Sequence, residues 1–304
     1  MKTHPSRPPA RQPLLLVLAA LAALLVATPA ASQPVERDMY VSVLNQSDTP
    51  VLTLGVSDFI VREDGRVREV LRARRATDMI DIAILVDTSQ ALGNQVSDVR
   101  NGLTAFIGQM REHARISVIG LGDRPTIYAD YTNSPEPLSK AVGRIFPIVG
   151  AGAYTLDAIT ETLKGLETRK PERSAIVVVW AGGREFSNQS YTTVLEALAA
   201  RGTALHVGAV GAGVPPDSGT TEGRNREIVF DRGTTQTGGR RKNILSSMAM
   251  TDALERLAAE LLGQYRITYS RPDSLIPPEK IEVSVRPSGL TARGIPVPVR
   301  GAAK

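Results

Sequence analysis

The chain contains no cysteine. That excludes a disulfide framework, a lipidated-cysteine anchor and any Cys–His catalytic pair. Histidine is nearly as scarce. Beyond the N-terminal His4 there are only His113, in a charged helix end (Arg111-Glu112-His113), and His206, in an apolar strand. Both positions suit structural residues. No G-x-S-x-G nucleophile elbow occurs, and Gly211-Ala212-Gly213 lacks the lysine and following helix of a phosphate loop. After one N-terminal run, no apolar stretch is long enough to cross a bilayer. A strong excess of one charge is also lacking, at +5 over 304 residues.

The N-terminus reads as an export signal over residues 1–32. Lys2, Arg7 and Arg11 precede the apolar run Leu14–Ala27, and Ala27-Thr28-Pro29-Ala30-Ala31-Ser32 supplies small residues for cleavage. A membrane span needs about 20 apolar residues, more than this run holds. The expected location is the periplasm or the extracellular space, with no span in the mature chain. Removing the signal takes away three basic residues and no acid, which leaves about +2 of the original charge. Nothing in that balance indicates nucleic acid.

The organising stretch is Met79–Asn94, MIDIAILVDTSQALGN. A short apolar run without polar alternation reads as a strand buried on both faces, hence a parallel sheet covered by helices. It stops on Asp87-Thr88-Ser89, at the carboxyl edge where open α/β sheets bind ligands. Before it, residues 33–76 read as a small antiparallel β module. There Phe59–Glu63 and Arg66–Leu71 flank an Asp64-Gly65 turn suited to positive φ angles.

From residue 77 to 271 strands alternate with amphipathic helices. Buried strands are expected at Ile116–Leu121, Ser174–Trp180 and Ala204–Val210, and a short one at Thr126–Tyr131. Helices are expected at Val96–Met110, Leu138–Ile145, Leu156–Leu166, Tyr191–Ala200 and Asp252–Leu262. The fold class is α/β, with a doubly wound, mostly parallel sheet flanked by small N- and C-terminal β segments. A long polar loop, 211–243, interrupts it, with Glu227–Phe230 its one possible strand. Trp180 reads as core. The tail, 272–304, returns to β with Lys280–Arg286.

With Met79–Val86 ending in Asp87-Thr88-Ser89, the chain resembles a von Willebrand factor type A domain. Phe59, Val61, Glu63, Asp64, Gly65 and Val70, with Gln264-Tyr265 after the last helix, make it similar to bacterial secreted "VWFA-related" proteins. The resemblance implies a metal-ion-dependent adhesion site built from D-x-S-x-S, a threonine in a G-G-T-x-x-x-D-A-I loop and an aspartate in an L-T-D-G loop. Carried across, Asp87 and Ser89 fit. The second serine falls on Ala91, the threonine on Ala153 and the aspartate on Gly182.

One carboxylate and one hydroxyl are a poor substitute for the hydration shell of Mg²⁺, so no metal or other cofactor is expected. The alternative is a rebuilt Mg²⁺ site at Asp87, Ser89 and Thr155, with Glu185 near the position of the missing aspartate. A bare buried carboxylate is unfavourable. The expectation is therefore that a guanidinium, from Arg184 or the long loop, takes roughly the cation's place beside Asp87. Arg240, Arg241 and Lys242 of that loop are expected to help capture carboxylates of a protein partner. The reading is a non-catalytic, exported binding or scaffolding module. An envelope hydrolase would need a base, and Asp87/Ser89 is the one conspicuous carboxylate–hydroxyl grouping.

Overall fold

Strand Ile80–Val86 (β5) is buried at every position. Alternation divides it between two cores. Ile80, Ile82, Ile84 and Val86 pack on one side of the sheet, Ala83 and Leu85 on the other. Asp81 is fully buried in this apolar strand and is held by Arg115 at 2.6 Å and Arg169 at 3.0 Å. The structure is a computed structural model that describes residue 1 and residues 34–211, 215–272, 276 and 278–297. All but the first residue of the expected export signal lies outside the described residues.

Beside β5 run Ala114–Gly120 (β6) and Arg173–Trp180 (β8), both parallel to it. Ala204–Val210 (β9) follows β8, and Arg241–Ile244 (β10) closes that side, again parallel. Thr126–Thr132 (β7) forms the other edge and is antiparallel to β6. The order β10-β9-β8-β5-β6-β7 is the doubly wound, mostly parallel sheet expected from the sequence.

Helices Val96–Met110 (α1) and Pro135–Gly143 (α2) bury their apolar stripes in the first core. Thr155–Arg169 (α3) and Tyr191–Arg201 (α4) cover the second. Gly202 ends α4 in the left-handed conformation at φ 57°, the role its position after the last periodic residue suggests.

Segment 211–243 is not the structureless loop expected. It contains a helix, Thr221–Ile228 (α5), then a π turn, Val229–Gly233, and a single turn, Thr234–Gln236, before β10. Glu227–Phe230 is therefore helical rather than a strand. Val229 and Phe230 anchor the segment in the second core, an apolar pair too short to stand out within a polar run.

The flanking segments form two further sheets around a third core. Pro34–Leu44 (β1) pairs with Tyr265–Pro272 (β11) and Thr291–Pro296 (β13), and β11 with Val70–Arg75 (β4). Phe59–Glu63 (β2) pairs with Arg66–Arg68 (β3) and Ile281–Val285 (β12). The turn between β2 and β3 has φ 48° at Asp64 and 78° at Gly65, as the Asp-Gly pair requires. The last helix, Met250–Leu262 (α6), leads straight into β11.

His206, on β9, is buried with both ring nitrogens lacking a hydrogen-bond partner. Burial pushes its pKa down to about 4, against the attraction of Glu260. Protonation thus favours the unfolded chain, which takes up the proton near its ordinary value of about 6.5. Stability should be full above that value and fall as pH drops toward 4, by on the order of 3 kcal/mol. Denaturant titrations across this range should show the fall, and His206→Leu should flatten it.

Candidate functional site

The carboxyl ends of β5, β6 and β8 meet in loops held together by backbone hydrogen bonds. Ile148 N donates to Thr88 O, Gln90 N to Ala151 O, Tyr154 N to Leu121 O, and Ala153 N to Arg184 O. Thr88 Oγ1 accepts from Gly122 N at 2.8 Å. A Cβ at Gly122 would lie 2.6 Å from Thr88 O, so the close approach of these two loops depends on glycine.

Asp87 sits at the centre, fully buried. Its Oδ1 accepts from Ser89 N at 3.0 Å, and its Oδ2 accepts from Ala181 N at 3.0 Å and Gly183 N at 2.9 Å. Three backbone amides thus satisfy the carboxylate. Among the described residues no basic side chain hydrogen-bonds to it, which corrects the expectation of a guanidinium at this point. Arg184 is exposed, its Cζ 5.9 Å from the centre of the Phe186 ring.

A guanidinium does come from the 211–243 segment, but it lodges behind the loop. Arg226 is fully buried and pairs with Asp217 through two hydrogen bonds of 2.7 and 2.9 Å. It lies 4.3 Å from the Trp180 ring centre, and its Nη1 donates to Gly183 O at 3.3 Å. Trp180 Nε1 donates to the same carbonyl at 3.1 Å. Asp217 also accepts from Glu185 N at 2.7 Å. Burial opposes its charge, but Arg226 and that amide hold its carboxyl below the usual range. The 183–185 turn is therefore clamped from both sides, by Asp87 in front and by Arg226–Asp217 behind.

Thr155 makes no hydrogen bond to Asp87 or Ser89. Its amide donates to Glu185 Oε1 at 2.9 Å, and Ser187 N donates to the same oxygen at 3.3 Å. Glu185 thus caps the start of α3, where amides lack helical partners. Thr155 Oγ1 and Glu185 Oε2 are buried without partners. Burial pushes the Glu185 carboxyl up.

These residues do not fit the cation of a metal-ion-dependent adhesion site. Ala91, Ala153 and Gly182 offer no side-chain oxygen. Gly183 also packs directly on the remaining pair: a Cβ there would lie 2.4 Å from Ser89 Oγ and 2.7 Å from Asp87 Oδ2. Among the described residues, no group of three or more His, Cys, Asp or Glu side chains could hold a metal.

Arg240, Arg241 and Lys242 are also not gathered at this site. Arg240 directly precedes the edge strand β10 and Arg241 and Lys242 begin it, separated from β5 by β9 and β8. Arg240 pairs with Asp48 and Glu260, both at 3.1 Å. Arg241 pairs with Glu227 and Asp231, and Lys242 lies 3.5 Å from Asp48. Arg240 and Lys242 thus join the parallel sheet to the flanking β module through Asp48.

Residues 82–184 match the sequence model of the von Willebrand factor type A domain. Over that stretch the chain is similar to a von Willebrand factor type A domain, and its sheet and helices have that domain's fold. No curated protein matches it in sequence. The solved von Willebrand factor type A protein from Catenulispora acidiphila is similar over 89% of this chain and 75% of its own, with 12% identity and a TM-score of 0.51. Proximal thread matrix protein 1 from the mussel byssus, solved with a zinc-occupied adhesion-site motif, is similar over 66% of this chain and 49% of its own, with 14% identity and a TM-score of 0.50. At such identities the likeness concerns the fold.

Several residues that shape the strand-end loops were not anticipated from the sequence. Arg226 and Asp217 are nine residues apart with no periodic pattern linking them. Val149 and Phe186 are 90% and 45% exposed in strand-end loops, and the signal available was the apolar run Phe146-Pro147-Ile148-Val149 outside any regular element.

Two stability tests follow from the clamp. Arg226→Ala leaves Asp217 buried without its cation and should cost roughly 3–5 kcal/mol. Trp180, the one tryptophan, stacks on Arg226, so its emission should report both the unfolding midpoint and a changed native baseline. Asp87→Ala orphans three amides, each worth about 1–3 kcal/mol, and should lower the midpoint to a similar extent.

Proposed function

We propose that this chain is an exported, non-catalytic binding module that engages a protein partner through the strand-end face of its von Willebrand A domain without a metal ion. The observation that carries this reading is the state of Asp87: backbone amides hold the carboxylate, and apolar side chains stand exposed on the loops around it. The N-terminal signal pattern supports export. The scarcity of histidine and the absence of cysteine support a non-catalytic role.

The rival is a rebuilt Mg²⁺ site at Asp87, Ser89 and Thr155, and a thermal test separates the two. A ligand at a hundred times its Kd stabilises the folded state by about 2.7 kcal/mol, a shift of several degrees. Metal-stripped protein should show no such shift with millimolar Mg²⁺, Mn²⁺ or Ca²⁺. A shift that disappears in Asp87→Ala would establish the rival. A partner captured from envelope extracts, then purified and titrated by calorimetry, should bind equally well in EDTA and lose affinity for Val149→Asp. Binding that ignores this substitution would remove the strand-end face from the account.

A further inference from the structure

The loops around Asp87 present apolar groups and positive charge together. Ile148 and Val149 follow directly on the hydrogen bond that ties their loop to Thr88 O, and both are exposed. Phe186 lies across Gly152, where a Cβ would come within 2.0 Å of its ring, and its ring centre is 6.2 Å from that of Tyr154. Phe146 is exposed beneath the Arg100 guanidinium, 3.9 Å from its ring centre. Side chains of this kind fixed on a hydrogen-bonded frame need little ordering on contact, which favours binding.

The charge of the same loops is one-sided. Asp87 and Glu185 are buried, which leaves Asp123 as the exposed acid of the turns that follow β5, β6 and β8 and of the 144–154 loop. Against it stand Arg124, Arg144 and Arg184. Arg144 lies over Tyr128, 4.7 Å from its ring centre, and no carboxylate is paired with Arg124 or Arg184 among the described residues. By contrast, the basic residues of the 211–243 segment that were expected here, Arg240 and Arg241, are already ion-paired.

We infer that this face takes an acidic polypeptide segment bearing an aromatic or aliphatic side chain. The apolar group packs on Ile148, Val149 and Phe186, and the flanking carboxylates pair with Arg124 and Arg184. The inference rests on the strand-end face being the binding surface and adds the chemistry of the occupant. Guanidinium groups receive carboxylates through paired hydrogen bonds, and the adjacent apolar surface excludes water from them.

The test is selection of phage-displayed random dodecapeptides on the full mature chain, followed by fluorescence anisotropy with the enriched peptides. Selected sequences should combine Asp or Glu with Phe, Trp, Leu or Ile. Affinity should fall at least about tenfold, or roughly 1.4 kcal/mol, for Val149→Asp/Phe186→Asp and for Arg124→Glu/Arg184→Glu. Val67→Asp, on exposed β3, should leave it unchanged. All these positions are exposed, and matching thermal midpoints confirm that the variants fold. Basic or wholly polar peptides that still lose binding on the face variants would overturn the inference and leave the face as the binding surface. Peptides indifferent to every face variant would overturn both. No enrichment at all would overturn the inference.

Discussion

The strand-end face depends on how one buried carboxylate is satisfied. Asp87 lies where a strand buried at every position leaves the sheet, and a charge there must be met by a cation, a proton or hydrogen-bond donors. This chain uses donors. Amides of Ser89, Ala181 and Gly183 converge on it, so the turn after β5 and the turn after β8 are tied to a single side chain. The second turn can come this close because Gly183 has no side chain.

The same turn is held from its other side by an ion pair that the 211–243 segment delivers. A buried pair of this kind contributes more to fixing one arrangement than to net stability, because desolvation offsets much of the attraction. Arg226 touches Asp217, Glu227, Trp180 and the Gly183 carbonyl at once. An alternative path for the turn would leave several of these groups unpaired. The segment thus acts as a brace whose polar surface conceals a small apolar and ionic root.

Most of the architecture was legible because it rests on local periodicity. β5, α1 and β9 follow from apolar runs and helical spacing, and the Asp64-Gly65 turn from the two positive φ angles it needs. The resemblance carried by Asp87-Thr88-Ser89 led to the domain whose sequence model matches residues 82–184. What could not be read was long-range. The pairing of Arg226 with Asp217, of Arg240 with Asp48 and Glu260, and of Glu185 with the first turn of α3 joins residues whose separation carries no pattern. Arg240, Arg241 and Lys242 were expected to be free to capture carboxylates, because a sequence does not show which charges are already neutralised within the fold. β13 was missed for a related reason. Thr291–Pro296 contains glycine and proline, weak strand formers, and takes its conformation from β1.

The way the flanking strands close on each other has a mechanical consequence. β1 is antiparallel to both β11 and β13, with Met39 opposite Pro296 and Leu44 opposite Thr291. The chain therefore enters β1 and leaves β13 at the same end of that sheet. Tension applied across Pro34 and Pro296 would load the β1–β13 hydrogen bonds one after another, like a zip, rather than all together in shear. Peeling the β13 edge would also draw Ile295 out of the first core and Arg293 away from Glu260, so a pull on these strands reaches the parallel sheet through those two contacts.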